Sequence, residues 1–283
     1  MPALDPRLTP FRDDLAAEHL RGQVTAARFT TGKTYEVIAP HAALRRHPSP
    51  DAPLDTEALK GERVTIYETT DEGWCWGQIE ADGYVGWLPT SALAAPGPDA
   101  THKVAALSTF AFPGADIKLP PREALPFGAR LAMLRQNGAF AATASGFVPI
   151  VHLAPLPHLE TDFVAIAERF LGAPYLWGGK TVFGIDCSGL VQIALSACGF
   201  TCPRDSDMQE RDLGRAMNDG PGRIRRGDLI FWKGHVAIAR DGTTLIHANA
   251  HHMAVAIEPI IDAIARIGKT GGEIASIRRL DPA

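Results

Sequence analysis

One apolar helix followed by strand-like runs constrains the fold of the C-terminal half of this chain. Residues 188–197 place apolar side chains at helical spacing. Apolar runs around residues 235–239 and 245–248 are typical of strands, and the turn signal Asp241-Gly242 lies between them. This order predicts an α+β domain in which the helix packs on an antiparallel sheet.

Cys187 stands at the start of this helix, shortly after a glycine-containing loop. The loop and the helix start read Tyr175-Leu176-Trp177-Gly178-Gly179 and Ile185-Asp186-Cys187-Ser188-Gly189. A cysteine at a helix N-terminus meets the positive end of the helix dipole and unpaired backbone N–H groups. Both favour the thiolate and predict a pKa below the usual ~8.5. For a lone cysteine, a buried packing residue is the alternative, but the surrounding pattern favours a nucleophile.

Two histidines, His235 and His247, lie on the predicted strands and can serve the thiol. With a two-residue loop at Asp241-Gly242, they point to opposite faces of the hairpin. With the three-residue loop Arg240-Asp241-Gly242, they lie directly opposite each other on one face, and Gly242 suits the positive φ required at the third position. The turn therefore predicts a histidine pair in which one imidazole is the base and the other orients it.

The C-terminal half carries a set of motifs in a fixed order. They are Pro174-Tyr175-Leu176-Trp177-Gly178-Gly179, Asp186-Cys187-Ser188-Gly189, Arg226-Gly227-Asp228-Leu229-Ile230-Phe231-Trp232, Gly234-His235-Val236-Ala237-Ile238 and Ile246-His247-Ala248. Together they resemble the NlpC family of papain-like bacterial cysteine peptidases, which cleave peptidoglycan stem peptides. The resemblance covers residues 160–283 and implies that they form the catalytic domain.

The resemblance also implies roles for individual residues. Cys187 is the expected nucleophile, His235 the general base and His247 the orienting third residue. Tyr175 matches a family tyrosine near the nucleophile, whose hydroxyl can help to stabilise the oxyanion. No metal or organic cofactor is implied.

The N-terminal half changes character and predicts small β-barrels. Short strand-like runs separated by turns occupy residues 35–95, and their Gly-Trp and Gly-Tyr-Val-Gly-Trp elements resemble a bacterial SH3-like domain. Residues 101–156 repeat the scheme more faintly and predict a second, divergent SH3-like barrel. The N-terminal arm, residues 1–34, contains a helix pattern over residues 11–21, with a loosely held terminal arm as the alternative. The predicted architecture is thus multidomain: two small all-β SH3-like barrels, then an α+β papain-like catalytic domain.

Substrate contacts are expected from both halves. The resemblance implies that Asp186 and Ser188 contact the substrate, as in relatives that act on short murein peptides, and Trp177 is expected to line the cleft. In similar recycling enzymes the first barrel leans over the active site and admits only peptides with a free N-terminal L-alanine. Tyr84 is the candidate for this contact from the barrel, with a barrel-core aromatic as the alternative.

The implied reaction is hydrolysis of the γ-D-glutamyl–diamino acid bond of murein peptides through a thioester acyl-enzyme. A thiol amidase or acyltransferase acting on another amide is one alternative. A non-catalytic wall-binding module is the other. The intact set of Cys187, His235 and His247 argues against the non-catalytic alternative.

Composition narrows the remaining classes. The net charge is 28 − 32 = −4 without a basic block, so no nucleic-acid partner is expected. The chain has no apolar stretch long enough for a membrane span, and its N-terminus lacks a signal-peptide pattern, so a cytoplasmic recycling enzyme is expected. The sequence does not determine the oligomeric state, and a monomer is favoured. The cysteines do not form a disulfide framework. A metal half-site from Cys198 and Cys202 with His251 and His252 is a weak alternative, because the spacing is not that of a zinc site.

Overall fold

The computed structural model describes residues 4–217 and 223–280. The chain divides into two compact units, Met1–Pro157 and His158–Ala283. The first unit is built from strands and short 3-10 turns, whereas the second contains the α-helices of the described chain.

The N-terminal arm does not follow its sequence pattern: the helix predicted over residues 11–21 is wrong. Leu15, Ala16 and Ala17 are all fully buried, which suits a strand enclosed on both faces better than a surface helix with one apolar stripe. The arm forms β1 (Leu15–Ala17), a 3-10 turn (Glu18–Leu20) and β2 (Arg28–Thr30), with β1 and β2 parallel.

The first barrel region follows the predicted strands and turns. Gly73 and Gly83 have φ of +85° and +76°, a conformation that only glycine adopts at low cost, and each lies in a turn between two strands of this region. The apolar faces enclose a core that includes Leu44, Ile79 and Leu88. The strands pair in the order β5-β4-β8-β7-β6-β3-β9. They are β3 (Lys33–Val37), β4 (His41–Arg45), β5 (Leu54–Leu59), β6 (Arg63–Thr69), β7 (Trp74–Ile79), β8 (Val85–Pro89) and β9 (Leu93–Ala94).

A second β-rich region with its own core follows in the same unit. Val104, Leu125 and Val148 are fully buried in that core. The region is joined to the first barrel by a hydrogen bond from the Arg130 N–H to the Lys60 carbonyl at 2.8 Å. Its strands pair as β13-β10-β17, β11-β12 and β14-β15-β16. They are β10 (His102–Val104), β11 (Ser108–Ala111), β12 (Glu123–Pro126), β13 (Arg130–Leu131), β14 (Arg135–Asn137), β15 (Phe140–Thr143), β16 (Gly146–Pro149) and β17 (Leu153–Pro155).

The C-terminal unit places helices on an antiparallel sheet, which confirms the predicted α+β arrangement. The sheet has the order β20-β25-β21-β22-β23-β24, and α2 packs against β22 and β23. Its helices are α1 (Phe163–Arg169), α2 (Cys187–Ala197), α3 (Ser206–Asp212) and α4 (Ile260–Gly268). Its strands are β18 (Lys180–Thr181), β19 (Gly184–Ile185), β20 (Arg215–Ala216), β21 (Asp228–Trp232), β22 (His235–Ala239), β23 (Thr244–Asn249), β24 (Ala254–Pro259) and β25 (Ser276–Arg279).

Across residues 4–217 and 223–280, none of the helices combines the length and the apolar character that a bilayer crossing requires.

Candidate active site

Cys187 is the first residue of α2 and is held against the sheet. Asp186 caps the helix, because its Oδ1 accepts a hydrogen bond from the Gly189 N–H at 2.7 Å. The apolar side of α2 lies on β22 and β23, and Cys187 is only 8% exposed. A buried helix therefore fixes the sulfur next to the strand that begins with His235.

A buried arginine, Arg204, locks the helix cap in place. Its guanidinium donates to both carboxylate oxygens of Asp186, at 2.9 and 2.8 Å, and to Ser188 Oγ at 2.8 Å. It also donates to the Gly179 carbonyl at 3.2 Å, and Asp186 accepts from the Gly178 N–H at 2.8 Å. Arg204 thus ties the glycine loop to the start of α2.

Few features of the sequence point to Arg204. It lies 17 residues after the nucleophile position, outside the motifs that point to chemistry, and it is 1% exposed. Its one signal is that Asp186, at a helix start in an apolar setting, requires a partner for its charge. That requirement does not say which arginine supplies the partner.

The two histidines form a hydrogen-bonded pair on one face of the sheet. His235 Nε2 and His247 Nδ1 are 2.8 Å apart, and their ring centroids are 5.0 Å apart. The prediction that they share a face is confirmed. The predicted register is wrong, because Ile238 pairs with Ile246 and Ala239 with Leu245. His247 therefore lies diagonal to His235, two residues away from direct opposition.

The hairpin loop explains the shifted register. Gly242 does not have the positive φ on which the prediction relied. Instead, Asp241 Oδ1 accepts from the N–H groups of Thr243 and Thr244 at 2.7 and 2.8 Å. An aspartate side chain that bonds its own following backbone makes the turn here in place of a left-handed glycine. A shift of two residues keeps side-chain parity, so the histidines stay on the same face.

Glu258 extends the histidine pair by one more hydrogen bond. Its Oε1 lies 2.7 Å from His247 Nε2, and Arg266 on α4 pairs with the same oxygen. Burial disfavours the charge of Glu258, but the hydrogen bonds from His247 and Arg266 outweigh it and lower the pKa of Glu258 to about 2. Glu258 is therefore a carboxylate at neutral pH.

Burial keeps both imidazoles neutral. It lowers the pKa of His235 to about 3, with further lowering by His247 and Arg266. It also lowers the pKa of His247, although the hydrogen bond to Glu258 opposes this shift. An uncharged imidazole can accept a proton, which a general base requires.

The thiol is protonated in the free protein, contrary to the expected lowering of its pKa. Burial and the nearby charge of Asp186 raise the pKa of Cys187 to about 12, while the Val236 N–H and Arg204 oppose the shift. Desolvation of the thiolate thus exceeds the effect of the helix N-terminus. Cys187 must pass its proton to a base when it attacks.

Tyr175 and Trp177 lie in the loop before the nucleophile. The backbone N–H of Tyr175 donates to the Met253 carbonyl at 2.9 Å. Burial, together with the nearby charge of Asp186, raises the pKa of Tyr175 to about 12, so its hydroxyl stays a hydrogen-bond donor. Trp177 is 64% exposed and is available at the surface of the loop.

Tyr84 lies in the other unit. It is 4% exposed and belongs to the apolar core of the first barrel, and its N–H donates to Asp82 Oδ1 at 3.1 Å. This placement is that of a core aromatic, which was the alternative to a substrate contact.

Side chains of the metal-binding type come together at the histidine pair. Among the described residues, His247, His252 and Glu258 have ligand-type atoms within 4.8 Å of one another. His247 and Glu258 are already bonded to each other, so a metal there would have to replace that bond. Cys198 is buried at the end of α2, and Cys202 is buried in the loop that follows. Neither forms a metal-binding group with another side chain in the described part of the chain.

Comparison with known families agrees with this geometry. The profile of the NlpC/P60 family matches residues 172–265, and that of the bacterial dipeptidyl-peptidase SH3 domain matches residues 44–93. Residues 172–265 form an NlpC/P60 domain. The chain is a cysteine peptidase.

Two curated relatives are similar to this chain over most of its length. A γ-D-glutamyl-L-lysine dipeptidyl-peptidase of Bacillus cereus is 27% identical over 73% of this chain and 71% of its own length. An enzyme of the same name from Bacillus subtilis is 28% identical over 81% of this chain and 82% of its own length. The crystal structure of an NlpC/P60 family protein from Bacillus cereus has the same fold, with a TM-score of 0.72 and 22% identity over 87% of this chain and 99% of that chain.

Proposed function

We propose that this peptidase hydrolyses the γ-D-glutamyl–diamino acid bond of murein peptides and releases an N-terminal dipeptide that ends in D-glutamate. The proposal rests on the observation that two dipeptidyl-peptidases are similar to this chain over 71% and 82% of their own lengths. Their similarity extends well beyond the 94 residues of the NlpC/P60 domain (265 − 172 + 1).

The names of these relatives also indicate that the substrate has a free amino terminus. A dipeptidyl-peptidase acts two residues from a free amino terminus, so the substrate here is a short peptide of the type L-Ala-γ-D-Glu-diamino acid. A site that binds a terminal ammonium group leaves polar partners unpaired when that group is acylated. We therefore expect N-acetylated peptides to be poor substrates.

The site residues divide the chemistry between them. Cys187 attacks the γ-carbonyl carbon of D-glutamate while His235 takes the thiol proton, and Tyr175 donates a hydrogen bond to the oxyanion. The C–N bond then breaks, and the proton on His235 passes to the leaving amine. A thioester remains on Cys187. Water then attacks its carbonyl carbon and gives a proton to His235, the C–S bond breaks, and the proton passes from His235 to the sulfur of Cys187. His247 orients His235 throughout these steps.

The substrate contacts lie around the same loop. Ser188 and Asp186 flank the nucleophile, although both side chains are already bonded to Arg204. In this proposal they contact the dipeptide through their remaining acceptor capacity. Trp177 covers the bound peptide from the exposed side of the loop.

The experiment is a rate comparison with defined peptides. Purified protein is incubated with L-Ala-γ-D-Glu-L-Lys, with the meso-diaminopimelate analogue and with the N-acetylated form of each, and the products are identified by mass spectrometry. We expect L-Ala-D-Glu and the free diamino acid from the unblocked peptides, and a rate at least on the order of 100-fold lower after acetylation. Equal rates for free and acetylated peptides would overturn the dipeptidyl specificity. Intact unblocked peptides would overturn the proposed function.

A further inference from the structure

A carboxylate lies in line with the histidine pair. Glu258 is on β24, next to β23, and its Oε1 is 2.7 Å from His247 Nε2. The other ring nitrogen of His247 is 2.8 Å from His235 Nε2. Glu258 faces Leu245 in the strand register and reaches His247 diagonally. Two hydrogen bonds therefore connect Glu258 to the proposed general base.

We propose that Glu258 is a positioning residue of the peptidase site, which fixes the tautomers of both His247 and His235. The inference rests on the roles proposed above for Cys187 and the two histidines. Glu258 does not touch the thiol in this arrangement and acts through His247.

The tautomers follow from the acceptor character of a carboxylate. An ionised Glu258 can only accept hydrogen bonds, so His247 Nε2 must carry the proton of that ring. The neutral His247 then presents an unprotonated Nδ1, to which His235 Nε2–H donates. His235 Nδ1 is thereby left without a proton in the neutral ring. The nitrogen that remains is the one that can take the proton of Cys187.

The charge of Glu258 supplies a second effect. Several elements bring charged or titratable groups to His235 and His247: Asp186 at the start of α2, Glu258 on β24, Arg266 on α4 and His252 in the loop between β23 and β24. The thiol of Cys187 lies beside the same strand, because it accepts from the N–H of Val236, the residue after His235. Burial has the largest effect and lowers the pKa of His235. Arg266 lowers it further, whereas Glu258 and Asp186 raise it.

Glu258 and Arg266 therefore act on the base with opposite sign. Removal of the Glu258 charge lowers the pKa of His235, so the acid limb of the kcat/KM profile moves to lower pH. Removal of the Arg266 charge raises that pKa, and the limb moves to higher pH. If the variants were only less stable, the acid limb would move in the same direction in both.

The test uses four variants of the full chain. Glu258→Ala removes the acceptor, Glu258→Gln keeps an acceptor oxygen without charge, and Arg266→Gln removes the opposing charge. Glu168→Gln is the matched control, because Glu168 forms an ion pair with Arg240 at 2.6 Å in the same unit and has no histidine partner among its described contacts. Two readouts are used: steady-state kinetics across pH, and ¹H–¹⁵N spectra that distinguish protonated from unprotonated imidazole nitrogens.

In Glu258→Ala we expect kcat to fall roughly 10- to 100-fold with KM unchanged, less than the ~10⁴-fold loss when an orienting triad residue itself is altered. Its spectra should show Nδ1-protonated forms of His247 that the wild type lacks. Glu258→Gln should keep the wild-type tautomers, retain more activity and shift the acid limb to lower pH, whereas Arg266→Gln shifts it to higher pH. The Glu168→Gln control should match the wild type in all of these measurements.

Unchanged tautomers and an unchanged kcat in folded Glu258→Ala would overturn the positioning role. A shift of the acid limb in the same direction for Glu258→Gln and Arg266→Gln would overturn it as well. The spectra need no substrate and therefore separate this inference from the proposed function. If the wild type cleaves no murein peptide but the tautomers change in Glu258→Ala, the proposed function fails and the positioning of the imidazoles stands.

Discussion

Replacing Arg204 by Met should destabilise the catalytic unit by about 3 kcal/mol. Arg204 is 1% exposed and donates hydrogen bonds to Asp186, Ser188 and Gly179. Removing one partner of a buried ion pair costs about 3–5 kcal/mol, because the other charge stays buried without compensation. Asp186 would keep its bonds from the Gly178 and Gly189 N–H groups. These bonds partly compensate the charge, so we take the lower end of that range.

The buried cysteines allow this cost to be measured unit by unit. Cys198 lies at the end of α2 in the catalytic unit, and Cys75 lies in the core of the first barrel. A short pulse of iodoacetamide at increasing urea, read by peptide mass spectrometry, reports the unfolding of each unit separately. With an m value of about 2 kcal/mol/M, a loss of ~3 kcal/mol lowers the midpoint for Cys198 by about 1.5 M urea. The midpoint for Cys75 should not move.

Arg211→Met is the matched control, because Arg211 and Asp212 form an ion pair of similar length, 2.7 Å, with both side chains exposed. We expect a change below about 0.5 kcal/mol there, as for other exposed pairs. A similarly small change for Arg204→Met would refute the view that burial, rather than bond length, decides the strength of this contact. An equal shift of the Cys75 midpoint would show instead that the two units unfold together.

Other predictions concern the site and the pH dependence. His235→Ala should lower kcat by at least about 10²-fold, because it removes the general base. His247→Asn should keep part of the activity, because an amide can still accept one hydrogen bond. Equal losses of kcat in the two purified variants would contradict these roles. Because burial raises the pKa of Cys187, its alkylation rate should climb from about pH 7 to about pH 10, and a plateau below about pH 7 would reveal a resting thiolate. A hydrogen bond to Glu57 raises the pKa of His41 in the folded protein. The pair therefore stabilises the first barrel fully below ~6.5, the pKa of a histidine in the unfolded chain. This stabilisation is lost as pH rises through the pKa of His41 in the folded state. Urea unfolding of the barrel at several pH values should show this decline, and Glu57→Gln should flatten it.

The features of the site that depend on spacing between neighbouring residues were predicted from the sequence. Helical spacing placed Cys187 at the start of a buried helix. Side-chain parity placed His235 and His247 on one face, and this outcome survives a register shift of two residues. The register itself depended on Asp241, whose side chain competes with Gly242 for control of the turn.

Residues that act through tertiary contacts were not predicted. Arg204 reaches Asp186 across 18 residues of chain, and Glu258 reaches His247 from a neighbouring strand. Neither belongs to a motif, and each was found only when the folded chain placed a buried charge beside a partner. The helix dipole alone predicts a lowered pKa for Cys187, but burial of the thiol raises it. Burial could not be predicted in the same way, because it depends on the packing of the whole unit.

The nucleophilic role of Cys187 is tested most directly by trapping the acyl-enzyme. Wild-type protein is mixed with excess L-Ala-γ-D-Glu-L-Lys, quenched in acid within the first turnovers, digested and analysed by mass spectrometry. We predict an alanyl-γ-glutamyl group in thioester linkage on the peptide that contains Cys187, and neither adduct nor product in Cys187→Ala. Undiminished release of L-Ala-D-Glu by the purified Cys187→Ala protein would contradict it.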